Sequence, residues 1–236
     1  MQHISATSLT TSLPSRIAYL SSFLNLTPSD TDALLAAKPL LAPLIPSILD
    51  AVYAKLLSYD ITAQVFVPKN TDYEGEVVGS VQELTLEHPQ IALRKDFLKV
   101  CLCLFRGCAW FGFWIWILDF LKSRLHNYLI RLVSTPDLTP TSPFWTCLNN
   151  VGIMHTGRPG FKHRASKPEL RVEYMHMGAL LGYVEDIVVG VVMGMEGVDA
   201  GTKMRVMRAF NKVLWIQNDL FARHYLAEEG GMSKAA

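Results

Sequence analysis

Val151-Gly152-Ile153-Met154-His155-Thr156-Gly157 puts one imidazole at the end of an apolar segment that stops at glycine. The segment opens at Pro143, a residue favoured in a first helical turn, and Phe144 and Trp145 follow it. At helical spacing, these aromatic and aliphatic side chains would wall a flat hydrophobic cofactor on the side of His155. Neutral imidazole is the commonest side-chain ligand for metals. A satisfied core histidine leaves the same local pattern, so this stretch alone keeps both readings open.

The rest of the chain narrows the class. Half of its 236 residues are hydrophobic, enough for a sizeable core without disulfides or a structural metal. The 22 Lys and Arg nearly balance the 21 Asp and Glu, which removes the net basic field that nucleic-acid binding uses. Cys101, Cys103, Cys108 and Cys147 show no CxxC or CxxCH spacing, against a zinc site, a disulfide scaffold or covalently attached haem. No basic region followed by an apolar run opens the chain, so the expected setting is reducing and cytoplasmic.

Helical periodicity runs almost throughout, and the expected fold class is all-α. Residues 1–14 and 227–236 are polar or glycine-rich and read as disordered ends around one domain, 15–226. Thr27-Pro28-Ser29-Asp30 marks a helix start. Apolar residues from Leu41 to Leu57 recur every three or four positions, giving a helix over about 41–58 with Tyr53 on its apolar face. Further helices are expected from Pro89, from Pro143, from Pro168 to about Met195, and from about Gly201 to Tyr225.

One stretch breaks the pattern. Val100 to Leu121 carries Trp110, Trp114 and Trp116, with only Arg106 and Asp119 charged. It meets the requirement of about 20 apolar residues for a membrane span. Each charge would oppose insertion by about 2.5–3.5 kcal/mol near the bilayer centre. A buried helix or a membrane-peripheral hairpin fits the composition equally well. Removing residues 100–126 joins Leu93–Lys99 to Asn127–Val133 as one amphipathic helix in phase, so the stretch reads as an insertion into a helix, genuine or a translated intron.

The order of helices, Tyr53 and the segment around His155 together resemble the protoglobin and globin-sensor family over about residues 15–225, the insertion apart. Ile48-Leu49-Asp50-Ala51-Val52-Tyr53 looks like that family's B helix, whose tyrosine faces the distal side of the haem. Leu93-Arg94-Lys95-Asp96-Phe97 looks like its E helix, with a phenylalanine over the iron, and Val151–His155 like its F helix with the proximal histidine. Pro168–Tyr174 and Lys212–Leu220 look like the G and H helices of fungal members. The insertion departs from the family, falling just after Phe97 within the helix that would roof the haem.

The resemblance implies a globin-like fold holding haem b, with His155 as the iron ligand through Nε2 and Nδ1–H donating to a carbonyl one turn back. A five-coordinate iron would bind O₂, CO or NO. Tyr53 would donate to the partly negative oxygen of bound O₂, and Phe97 would act by shape alone. Tyr174, Met177, Trp215 and Ile216 are candidates for apolar contact with the macrocycle, although each is equally an ordinary core residue. Arg158, Lys162, Arg164 and Lys167 form a basic loop near His155, from which one side chain could pair a propionate. His163 and His176 are rival ligands in less apolar settings.

Two other functions fit the residues. A haem enzyme, an NO dioxygenase or peroxidase, would need a separate reductase, because no flavin or nicotinamide motif such as GxGxxG is present. A membrane-anchored helical interaction protein would use residues 100–121 as its anchor. The apolar run Ile187–Val192 further suggests a homodimer.

Overall fold

The structure is a computed structural model that describes residues 3–68, 75–96, 134–162, 165 and 169–233. Phe97, His163, Arg164, Lys167 and the expected insertion over 100–126 lie outside the described residues. The chain divides into two compact units, residues 1–38 with 133–236, and residues 39–132. No strand occurs among the described residues, only an isolated bridge between Thr156 and Arg171. The fold is all-α.

In the first unit, α1 (Ala6–Thr11) and the first two residues of α2 (Leu13–Phe23) fall within residues 1–14, expected to be disordered. Local caps account for them. The Ser5 and Ser12 hydroxyls accept from the amides of Ser8 and Ser15, satisfying donors that a helix start leaves without partners. Thr27 and Asp30 start α3 (Pro28–Leu41) in the same way: the Asp30 carboxylate accepts from the Thr27 amide at 2.7 Å and its hydroxyl at 2.9 Å.

The second unit takes up the chain from Pro39. Pro43 and Pro46 interrupt the periodic stretch, so a single turn of 3-10 helix, Ala42–Leu44, precedes α4 (Ile45–Leu57). After α5 (Asp60–Ala63), the chain reaches α6 (Pro89–Asp96), which packs on α4. Ala63, Val78, Leu84 and Ile91 form the core here, and Tyr53, Leu57 and Phe66 pack against it. Gln90 is buried within it and fully used, donating to the Phe66 carbonyl at 2.5 Å and accepting from the Val78 amide at 3.4 Å.

Back in the first unit, α7 (Pro143–His155) is capped by Ser142, whose hydroxyl accepts from the Phe144 amide at 3.3 Å. Trp145 is fully buried and its indole N–H donates to the Leu138 carbonyl, which anchors the first turn. Next come α8 (Tyr174–Gly194) and α9 (Ala200–Ser233). Helix α8 starts later than Pro168 because the chain first runs extended beside the end of α7. There the Gly157 amide donates to Leu170 and the Val172 amide to His155, bonds that a helix from Pro168 would forgo. Helix α9 continues past Tyr225, where a disordered tail is expected.

Helix α9 organises this unit by packing on α7, α8 and α2. Val206, Phe210, Val213, Leu214, Leu220 and Phe221 are buried at helical spacing, each removal from water contributing about 1.5–3 kcal/mol. Polar pairs fix the register. Tyr174 donates to Asn218 at 3.0 Å and Asn211 to Glu185 at 2.5 Å on the α8 side, while Arg16 clasps Asp219 at 2.5 and 2.7 Å on the α2 side. Among the described residues, Pro28–Leu57 and α8 are long and apolar enough to cross a membrane. Prolines break the first into three segments, and the second packs one face on α9 and leaves Met175, Val189 and Met193 exposed.

Candidate functional site: His155 and its cradle

His155 is the last residue of α7, and its ring is held on two sides. Nδ1 lies 2.8 Å from the carbonyl oxygen of Val151, one turn back. A carbonyl only accepts, so Nδ1 carries the proton and Nε2 carries the lone pair. The Phe221 ring of α9 meets the imidazole edge to face, with centroids 5.8 Å apart. The backbone of His155 is held as well, since its carbonyl accepts from the Val172 amide at 2.9 Å and from the Tyr225 hydroxyl at 3.2 Å. Tyr225 also donates to the Val172 carbonyl at 2.6 Å, tying the end of α7 to the segment that follows it.

Three features of sequence make this cradle. Gly152 lets α7 approach α9: a Cβ there would lie 2.7 Å from the Leu220 carbonyl oxygen and 3.1 Å from both Phe221 and His224 side chains. Gly157, at φ +92°, takes the left-handed turn that ends α7 directly after the site. On the other flank, Asn149 accepts from the His224 Nε2 at 3.0 Å. Burial and the guanidinium groups of Arg223, Arg158 and Arg16 push the His224 imidazole down to about 4, so it is neutral at pH 7.

The sequence candidates fall in both units. Tyr174, Met177, Ile216 and Trp215 share the unit of His155. Tyr174 is a strap, its hydroxyl on Asn218 and its ring 5.6 Å from that of Tyr225. Met177 and Ile216 are buried, whereas Trp215 is 54% exposed. Consecutive residues of a helix diverge by about 100°, so Trp215 and Ile216 do not share one buried strip. Arg158 is exposed and donates to the Thr156 hydroxyl at 3.1 Å. His176 on α8 has a buried Nε2 with no hydrogen-bond partner, and no side-chain bond orients its ring as Val151 orients His155. Tyr53 belongs to the other unit, where its ring lies 5.8 Å from Phe66.

Phe221, Tyr225 and Gly152 are not among the residues that the sequence singles out. Phe221 and Tyr225 stand one helical turn apart beyond the quoted Lys212–Leu220 motif. The role of Gly152 depends on the partner helix it admits, which is distant in sequence.

Among the described residues, no three His, Cys, Asp or Glu side chains cluster as a protein-only metal site would require. One imidazole with its proton fixed on Nδ1 is instead the donor a haem iron takes from a globin. The protoglobin family model matches residues 13–102 and 117–230. The chain belongs to the protoglobin family. No curated protein and no solved structure gives a significant match. Between the matched stretches lie residues 103–116, inside the expected insertion. Protoglobin membership implies haem as the cofactor and globin-like gas binding or sensing as the activity.

Proposed function

We propose that this protoglobin holds haem b through His155 Nε2 as the single protein ligand and binds O₂, CO or NO at the opposite face. The observation that carries the reading is the 2.8 Å bond from Nδ1–H to Val151, which fixes both tautomer and ring plane. A ring so held meets the iron without the rotational freedom that a solvent-exposed histidine would have to lose. When bound, the haem supplies an iron with an open coordination position for a diatomic ligand.

The protein's part is placement and shielding. Val151 and Tyr225 hold the imidazole and the chain beneath it, and Phe221 closes one side of the ring; the O–H donor to a polar gas ligand that the family resemblance implies is Tyr53. No catalytic role is assigned to any residue. The test is the Soret spectrum of haem-reconstituted protein, ferric and ferrous-CO, for the full chain and for His155→Ala. A sharp CO-shifted band that the variant lacks is the expected result. A full chain with no haem band, or a variant with an unchanged one, overturns the reading.

A further inference from the structure

The strip of α9 facing α7 carries one residue that packing does not explain. Gln217 is 4% exposed, and its Oε1 is buried without a hydrogen-bond partner. Its neighbours in sequence face other helices, Asn218 binding Tyr174 on α8 and Asp219 binding Arg16 on α2. One turn further on, Phe221 meets His155, and His224 bonds Asn149, both on α7. Positions 217, 221 and 224 are spaced four and three apart, so Gln217 projects from that same strip. Leucine or methionine would fill such a position in a purely structural core. A buried amide oxygen without a partner is unfavourable, and in the other unit the buried Gln90 uses both of its amide atoms.

On the reading that His155 ligates haem, we propose that Gln217 is a further cofactor-binding residue whose carboxamide hydrogen-bonds a haem propionate. The periphery of haem b is methyl, vinyl and bare carbon except for its two propionates. A propionate is therefore the polar group on the cofactor that a buried carboxamide can serve. The amide suits either protonation state of that acid. Nε2–H donates to the carboxylate, Oε1 accepts from the carboxylic acid, and a half-turn of the amide exchanges the two.

The test is the rate of haem transfer to excess apomyoglobin, for the full chain and for Gln217→Leu, loaded either with haem or with its dimethyl ester. Gln217→Leu should lose haem about tenfold faster, as loss of one hydrogen bond to a charged group predicts. With the ester, whose carbonyls still accept but carry no charge, the difference should fall well below tenfold, and the variant apoprotein should melt at a higher temperature, its unpartnered Oε1 gone. Equal rates of haem loss, or an acceleration of the same size with the ester, overturn the proposal. Gln217→Met, closer in shape, carries the same comparison if the leucine variant does not fold. A wild-type protein without a His155-dependent Soret band defeats the underlying haem reading; a wild-type band with equal haem loss defeats the role of Gln217 alone.

Discussion

The contact between His155 and the Val151 carbonyl decides which ring nitrogen carries the proton. Donation from Nδ1 to the Val151 carbonyl leaves the lone pair on Nε2, and the carbonyl's own dipole raises the basicity of that lone pair. Tyr225 acts at one remove, bonding the carbonyls of His155 and Val172. At the same scale, Tyr53 gives a test that leaves packing nearly untouched. Its ring packs against the core of its unit and lies 5.8 Å from Phe66, contacts that Tyr53→Phe retains. The variant removes an O–H donor, worth about 1.5–3 kcal/mol when the acceptor is charged and shielded from water. Stopped-flow measurement should then find O₂ leaving Tyr53→Phe at least about tenfold faster than wild type, with CO much less affected because it develops less negative charge. An unchanged O₂ rate would remove Tyr53 from the distal side.

Among the helices, the α7–α9 crossing is set by backbone proximity. A Cβ at position 152 would press on the Leu220 carbonyl, part of the α9 backbone, which cannot rotate aside as a side chain can. Gly152→Ala should therefore destabilise the protein by about 1–3 kcal/mol through overpacking. Gly182, in the middle of α8, faces open space: a Cβ added there would meet no atom within 4 Å. Gly182→Ala should stabilise by about 0.5–1 kcal/mol from helix propensity alone. Urea titrations of both apoproteins check the pair, and a Gly152→Ala midpoint at or above wild type would show that the helices can separate without loss. The sequence shows helix α7 plainly, through Pro143, the apolar spacing and Gly157, whereas the stretch alone fits a core histidine as well as a ligand, and the family resemblance is what singles out His155 as the proposed site. The sequence hides Gly152's role because close approach depends on a partner helix distant in sequence. The ends mislead for a related reason. Their serines and glycines read as disorder until Ser5 and Ser12 are seen to cap α1 and α2, and Thr10 to accept from Arg223 of α9.

For the unit that carries His155, stability should depend on pH through the polar seam where α2, α7 and α9 meet. The His224 ring bonds Asn149 of α7 and is faced by Arg223 on its own helix, Arg158 beyond the end of α7 and Arg16 of α2, with Asp219 as the nearby counter-charge. Its folded value of about 4 lies below the ordinary histidine value of 6.5. Between these values the unfolded chain binds a proton that the folded one refuses, so stability rises with pH across this window. The contribution is complete above about pH 6.5 and drains away as pH falls toward 4. Because the ring is only half-buried, solvent screening reduces it to about 1–2 kcal/mol. Asp30 acts in a separate, lower window. Burial alone would raise its carboxyl, but bonds from Lys212 and Thr27 outweigh burial and hold it below 3.8, so its contribution is lost only in stronger acid. His224→Gln can still donate to Asn149 but does not titrate. Chemical denaturation of wild type at pH 7 and pH 4.5 should show a loss that His224→Gln largely abolishes, while both proteins keep the further fall below pH 3.8. Equal losses in the two proteins between pH 7 and 4.5 would assign the acid sensitivity to other groups and leave His224 as a packing residue.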